Sequence, residues 1–347
     1  MDHFFAAVEI RERPEIKGKP VVVGADPKKG KGRGVVSTSN YEARKFGVNS
    51  GIPISRAWYL CHDAVFLPVN YSLYREVSAK IMNILQKYAE KFERWGLDEA
   101  FLDVSSRVKN FEEAKQLAQK IKTEVKQKEK LTCSIGVGPN KLVAKIASDF
   151  VKPDGLTIVQ PEDVQSFLNP LRVRKLLWVG KKTEIQLMNK GIQTIGDLAS
   201  FDPNILAEKF GSSGTQLYLM AHGLDESEVQ EHWEQKSISR ETTFETDISD
   251  FELVLGTVTV LCEELHQELR ASNFLFKTIT IKIRYENFET HTHGKTLSFF
   301  SDQLKDIQKN AIGLAKDYLF LDHKVRLIGV RLSNLFLAEK QTRLPDI

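Results

Sequence analysis

Apolar positions recur at two different periods along the chain. Over residues 71 to 91, Val77, Ile81, Ile84, Leu85 and Tyr88 fall three and four apart, which predicts a helix with one buried stripe. In "TITIKIRY" the alternation is strict. Ile279, Ile281, Ile283 and Tyr285 fall on one face of a strand and Thr278, Thr280, Lys282 and Arg284 on the other. The same patterns predict a helix start in residues 1–10, strands in "KPVVVGAD" and "GVVSTS", and a short helix in "NYEARKFGV" with Gly47 just past its end. Strand 99–104, helix 111–128, strand 131–137 and helix 139–151 follow. This alternation predicts a mixed α/β domain. Residues 161 to 229 read as all-helical, broken at Gly180, Gly191, Gly211 and Gly223. From Ser237 the order is strand 237–245, helix 250–271, strands 276–286 and 289–299, helix 302–319 and strand 324–333, the split β-α-β-β-α-β arrangement. The polar run "DESEVQEHWEQKS" reads as a tether before it.

The length of 347 residues predicts two or more domains. A composition of 41% hydrophobic and 27% charged residues is that of a globular chain. No apolar run of about eighteen residues and no signal-peptide pattern is present, so a cytoplasmic protein without a membrane partner is expected. Cys61, Cys133 and Cys262 lack metal-ligand spacing and read as small buried hydrophobes. The net charge of +3 leans weakly towards anionic partners.

Candidate chemistry begins at "RWGLDEAFLDVS", where Asp98 and Glu99 stand at the mouth of an apolar strand. An ordinary turn explains Gly96-Leu97-Asp98 equally well. Two adjacent carboxylates repel, however, and Mg²⁺ is a cation that relieves this with oxygen ligands. Tyr41 and Arg44 share a helix face and suit phosphate oxygens, or form a plain solvated face. Lys152 lies at a helix exit, held by Pro153 and Gly155. Gly180, Lys181, Lys182 and Thr183 form the turn of a helical hairpin, whose free N–H groups can hold a DNA phosphate; an ordinary hairpin competes with that reading. The Thr/Lys/Arg face of 278–284 suits a phosphate backbone or simply faces water.

Together these stretches resemble the Y-family DNA polymerases of the archaeal and bacterial polymerase IV type. The resemblance rests on "MDHFFAAVE", "STSNYEARKFGV", "GIPISRA", "LDEAFLDVS", "SIGVGPNKLVAKIASDFVKPDG", "VGKKT…GIQTIGDLA" and "KSISRETTF", in order over nearly the whole chain. It implies an α+β multidomain, right-hand fold. Fingers would span 1–70 (with 1–3 in the palm), a ferredoxin-like palm 71–160, a helix-hairpin-helix thumb 161–229, a linker 230–236 and a β-α-β-β-α-β little finger 237–337. It implies low-fidelity translesion synthesis without proofreading, on primer-template DNA and dNTP, by a monomer using two Mg²⁺ ions. Asp98 and Glu99 would hold the ions, with Met1 (through its carbonyl) and Asp2 as lesser candidates. Phe5 would be the steric gate against a 2′-hydroxyl. Phe4, Thr38, Tyr41, Arg44 and Lys152 would bind the nucleotide. Gly180, Lys181, Lys182, Thr183, Arg240, Thr243, Lys282, Arg284 and Arg331 would bind DNA.

The pattern also departs from the family. The resemblance sets a short apolar strand ending in an aspartate, the third metal ligand, just before Met1, and this chain starts one residue after it. The alternative function is therefore a catalytically impaired or inactive DNA-binding relative. A nucleotidyl cyclase shares the two-metal logic but leaves 161–337 unexplained. Gly96 stands where Ser is usual, and Trp178 where the thumb hairpin has its first glycine. The tail "QTRLPDI" begins like a sliding-clamp peptide, with Gln341, Leu344 and Ile347 three apart but no aromatic pair.

Overall fold

The computed structural model describes residues 1–231, 234–319 and 323–338; the clamp-like tail at 341–347 lies outside the described residues. Two compact units divide the chain at the tether, with residues 32–34 grouped with the second.

The first unit opens with α1 (Phe4–Glu12), followed by β1 (Val21–Gly24), β2 (Val36–Ser39), α2 (Tyr41–Arg44), α3 (Ile54–Leu60) and β3 (Val65–Leu67). The strands form one sheet in the order β2-β1-β3. Central β1 is buried on both faces, as its run of three valines requires. Next come α4 (Tyr71–Gln86), β4 (Lys91–Arg94), β5 (Ala100–Asp103), α5 (Phe111–Glu129), β6 (Ile135–Val137), α6 (Lys141–Ser148) and β7 (Leu156–Ile158). Asparagine starts α2, α4, α5 and α6. In each case the side-chain oxygen of Asn40, Asn70, Asn110 or Asn140 accepts the N–H three residues on. The apolar stripe of α4 is buried as predicted, but the helix ends at Gln86 rather than 91. Tyr88 and Ala89 close tighter turns onto Leu85 and Gln86, and the chain leaves as β4.

β4 pairs with β5 and β6 with β7, as two separate two-stranded sheets. A cavity of about 210 Å³ lies between them. Ala100 and Leu102 of β5, Ile135 and Val137 of β6, and Ala118 and Ile121 of α5 line it, with Met1 also in its wall. The apolar residues of β5 and β6 are accordingly only half-buried. The thumb-like region contains α7 (Val164–Leu168), α8 (Lys181–Met188), α9 (Ile195–Ala199), α10 (Pro203–Phe210) and α11 (Ser212–Ala221) around a core that includes Leu187, Ile195, Leu198 and Leu206.

The second unit holds β8 (Ser237–Ile248), α12 (Phe251–Ala271), β9 (Phe274–Tyr285), β10 (Thr290–Ser301), α13 (Leu304–Lys316), β11 (Val325–Ser333) and the short β12 (Phe336–Leu337). The order β10-β9-β11-β8 splits each βαβ unit with a strand of the other. Ile279, Ile281, Ile283 and Tyr285 are buried in its core with Val254, Leu265, Ile307 and Ala311 of the helices, which confirms the face read from the alternation.

Candidate active site

The β4–β5 hairpin presents Asp98 and Glu99 on a turn tied down at several points. Trp95 N–H donates to the Glu99 carbonyl at 2.9 Å. Arg94 donates through Nε to the Gly96 carbonyl (2.8 Å) and through Nη2 to the Ser78 hydroxyl (2.8 Å). Ser78, fully buried on α4, in turn donates a hydrogen bond through its hydroxyl to the Leu97 carbonyl. The Met1 ammonium donates to the Asp98 carbonyl at 2.6 Å and lies 3.9 Å from Asp98 Oδ2.

Charge is arranged to compensate these acids. Lys145 Nζ is 2.7 Å from Glu99 Oε1 and 3.2 Å from Asp149, which also holds Lys152 at 2.5 Å. Burial pushes the Asp98 carboxyl above the usual range and Glu99 adds to this, while the Met1 ammonium, Lys152 and Lys145 oppose it. Burial works to lower Lys145, but Glu99 and Asp149 outweigh it and raise the ammonium. Two adjacent half-buried carboxylates, with ammonium groups around them, are a donor set that suits a hard divalent cation. Among the described residues no three His, Cys, Asp or Glu side chains form a metal-holding group.

Asp2 is corrected by the structure. It is 1% exposed and both its oxygens are taken, by the hydroxyls of Thr132 (2.8 Å) and Ser134 (2.7 Å) and the N–H of Asp154 (2.9 Å). Burial works to raise its carboxyl, but these donors hold it below the usual range. Asp2 therefore braces the loop after Lys152 instead of offering a free metal ligand. The Phe4 side chain, at 3% exposure, packs in the core, so only its backbone could meet a nucleotide. Its neighbour Phe5 is half-buried, stacked on Tyr74 with centroids 4.2 Å apart.

On α2, the Arg44 guanidinium lies 4.8 Å over the Tyr41 ring and its Nε donates to the Ser39 carbonyl. Among the described residues, His3 Nδ1 is buried with no hydrogen-bond partner, and the buried Tyr41 hydroxyl has Arg44 beside it but no well-formed hydrogen bond, the His3 and Tyr41 rings meeting edge-on at 5.0 Å. Buried orphan atoms of this kind mark a place for a polar ligand. Thr38 lies half-buried on neighbouring β2. Three of the residues gathered here were not singled out from the sequence: His3, Lys145 and Asp149. Only the i, i+4 spacing of Lys145 and Asp149 hinted at a pair.

Gly180 caps α8 with no side chain on its first N–H groups; Lys181 and Lys182 are exposed and Thr183 half-buried. In the second unit, Lys282 pairs with Gly329 across the ladder and Arg331 with Thr280, so Lys282, Arg284 and Arg331 share the face away from the helices. Arg240 pairs with buried Val330 and is on the opposite face, ion-paired to Glu268 (2.5 Å) and Glu264 (3.8 Å) of α12. These ion pairs tie the sheet to α12, whereas Lys282 pairs with Glu241 (2.9 Å) on the face away from the helices. Thr243 lies exposed beyond a register shift in β8. Lys282→Ala is expected to lower the salt slope of DNA binding by about 1, and Arg240→Ala to leave it unchanged. Titrations of duplex affinity against NaCl separate the two.

All three cysteines are buried and free; burial raises Cys133 to about 11 and Cys262 to about 12, so these thiols are packing groups.

The first unit thus holds the Asp98–Glu99 turn, Tyr41 and Arg44 on α2, Lys152 beyond α6 and the helical region, and the second a sheet with Lys282, Arg284 and Arg331 on one face. Residues 1–149 match the impB/mucB/samB family and residues 235–345 its C-terminal domain. A DNA polymerase IV of Methanosarcina mazei is 50% identical over 100% of this chain and 94% of its own length. That of Nitrosopumilus maritimus is 39% identical over 98% and 95%. Among solved structures, a Y-family chimera, Dbh-Dpo4(243-245)-Dbh, covers 97% of this chain and 98% of its own at TM-score 0.89 and 35% identity. An insertion ternary complex of Dbh DNA polymerase covers the same shares at TM-score 0.66 and 34% identity. The chain belongs to this family, the Y-family DNA polymerases of the polymerase IV type, which are DNA-directed DNA polymerases. No described helix is long and apolar enough to cross a membrane.

Proposed function

We propose that this chain adds deoxynucleotides to a primer 3′-hydroxyl by two-metal transfer and copies past damaged bases as a monomer on primer-template DNA. The observation that carries the reading is the half-buried Asp98 beside Glu99 on the β4–β5 turn, with the Met1, Lys145 and Lys152 ammonium groups opposing their charge. Asp98 and Glu99 would hold Mg²⁺, which when bound supplies charge for the triphosphate and lowers the pKa of the 3′-hydroxyl. Tyr41, Arg44 and Lys152 orient the triphosphate, and Lys145 holds Glu99 in place until the cation arrives. Phe5 packs beneath the sugar.

The resemblance sets a short apolar strand ending in an aspartate before Met1, and Met1 itself lies in the wall of the cavity between β5 and β6. Met1 nitrogen already bonds to the Asp98 carbonyl and Asp2 N–H to the Thr132 carbonyl, alternate sides in turn, as successive residues of a strand do. The test is Mg²⁺-dependent primer extension by the chain preceded by that strand. No extension would refute the reading. The second reading, a DNA-binding relative without chemistry, is favoured by the engagement of both Asp2 carboxylate oxygens. It predicts salt-sensitive binding and no extension even with the strand in place.

Phe5→Ala in that extended chain is expected to admit ribonucleotides. Single-nucleotide kinetics with dNTP and NTP measure the ratio, and unchanged sugar selectivity removes the gate assignment.

A further inference from the structure

Trp178 combines two features that folding alone disfavours. Its φ is +68°, a left-handed conformation that is strained for a bulky residue, and its side chain is 78% exposed. The residues around it behave normally: Leu176 and Val179 are buried in the helical core at 2% and 6% exposure. The chain thus anchors both sides of the turn and holds the indole out. The indole lies against Trp95, the rings tilted at 45° with centroids 6.0 Å apart. Trp95 belongs to the β4–β5 hairpin, and its N–H donates to the Glu99 carbonyl. On the other side, α8 opens at Gly180, whose N–H donates to the Trp178 carbonyl at 3.1 Å, and no described side chain caps the helix start, where Lys181 and Lys182 present two exposed ammonium groups.

We propose that Trp178 contacts the primer strand, packing its indole on the sugar and base edge of a nucleotide near the 3′ end. The chemistry fits this occupant. An aromatic face beside lysines is what single strands and strand ends offer bases and phosphates to, and the contact needs no particular sequence. The position fits as well, because a 3′-hydroxyl brought to Asp98 and Glu99 carries its last nucleotides past the flank of the same hairpin. The inference rests on the reading that primer-template reaches that hairpin. It makes Trp178 a positioning residue for the primer, acting alongside the carboxylates without touching the reacting atoms.

The experiment measures binding of the full chain to primer-template without added metal, by anisotropy, for the parent, Trp178→Gly and Trp178→Phe, with the melting temperature of each. Glycine relieves the left-handed strain, so Trp178→Gly should melt at the same temperature or higher while binding about tenfold more weakly. Trp178→Phe keeps an aromatic face and should bind within about threefold of the parent. A 2-aminopurine at the primer end should be quenched by the parent and not by Trp178→Gly, and one in the distal template should not respond. Parent-like binding by Trp178→Gly overturns the proposal, as does a loss of affinity matched by a fall in melting temperature. A parent that binds no primer-template removes the underlying reading as well, so the two failures are told apart.

Discussion

Asp98→Ala, in the chain preceded by the apolar strand and its aspartate, is expected to lower the rate of primer extension by on the order of 10²–10³-fold. Glu99→Ala should behave similarly. The cause is local: each substitution leaves one carboxylate where the charge of a divalent cation and a triphosphate must be met. Binding of primer-template should change little, because the basic sheet face and the α8 turn lie apart from these side chains in the sequence and carry their own charge. The conservative Asp98→Asn should fall with the alanine variant, since it keeps the shape and removes the charge. Single-turnover extension alongside anisotropy separates rate from binding. Extension at the parent rate by either alanine variant is incompatible with the assignment.

The second large effect concerns stability. Asp2→Ala is expected to destabilise the first unit by about 2–4 kcal/mol, because the hydroxyls of Thr132 and Ser134 and the N–H of Asp154 lose their acceptor in a buried place. The pH dependence follows from the direction of the shift. Folding holds the Asp2 carboxyl below its unfolded value. Its contribution is therefore fully present above the unfolded pKa of about 3.9, and is lost as pH falls through the lower folded value. Asp2→Asn should flatten this part of the stability curve below about pH 4, with a lower plateau at neutral pH. Urea unfolding at a series of pH values checks it. Equal stability of parent and Asp2→Asn across that range would show that the hydrogen bonds contribute nothing net.

Much of the fold could be read from periodicity. The alternation in β9 identified the buried isoleucines residue by residue, and the three-four spacing found the stripe of α4. What periodicity could not see was short or formed by distant partners. β4, β7 and β12 are strands of two to four residues, too short to show a pattern, and α3 was left unread inside "GIPISRA". Asn40, Asn70, Asn110 and Asn140 were available as helix-start signals.

The site was legible in part for the same reason. Asp98, Glu99, Tyr41, Arg44 and Lys152 stand in motifs. Lys145 reaches Glu99 across 46 positions, and Asp2 reaches Ser134 across 132, and no local pattern announces such contacts. The resemblance through "KSISRETTF" groups Arg240 with Lys282 as DNA-binding. The parity of Arg240 along β8, shared with buried Ile238, could have placed it on the helix side.

The central claim is that Asp98 and Glu99 hold divalent ions against a nucleotide. Its most direct test is a crystal of the extended chain with primer-template, a non-hydrolysable dNTP analogue and Mn²⁺, read by anomalous scattering. The account predicts two peaks ligated by both carboxylates and by phosphate oxygens, with Lys145 displaced from Glu99. Peaks bound elsewhere, with Lys145 still on Glu99 and Asp98 without a metal, would contradict it.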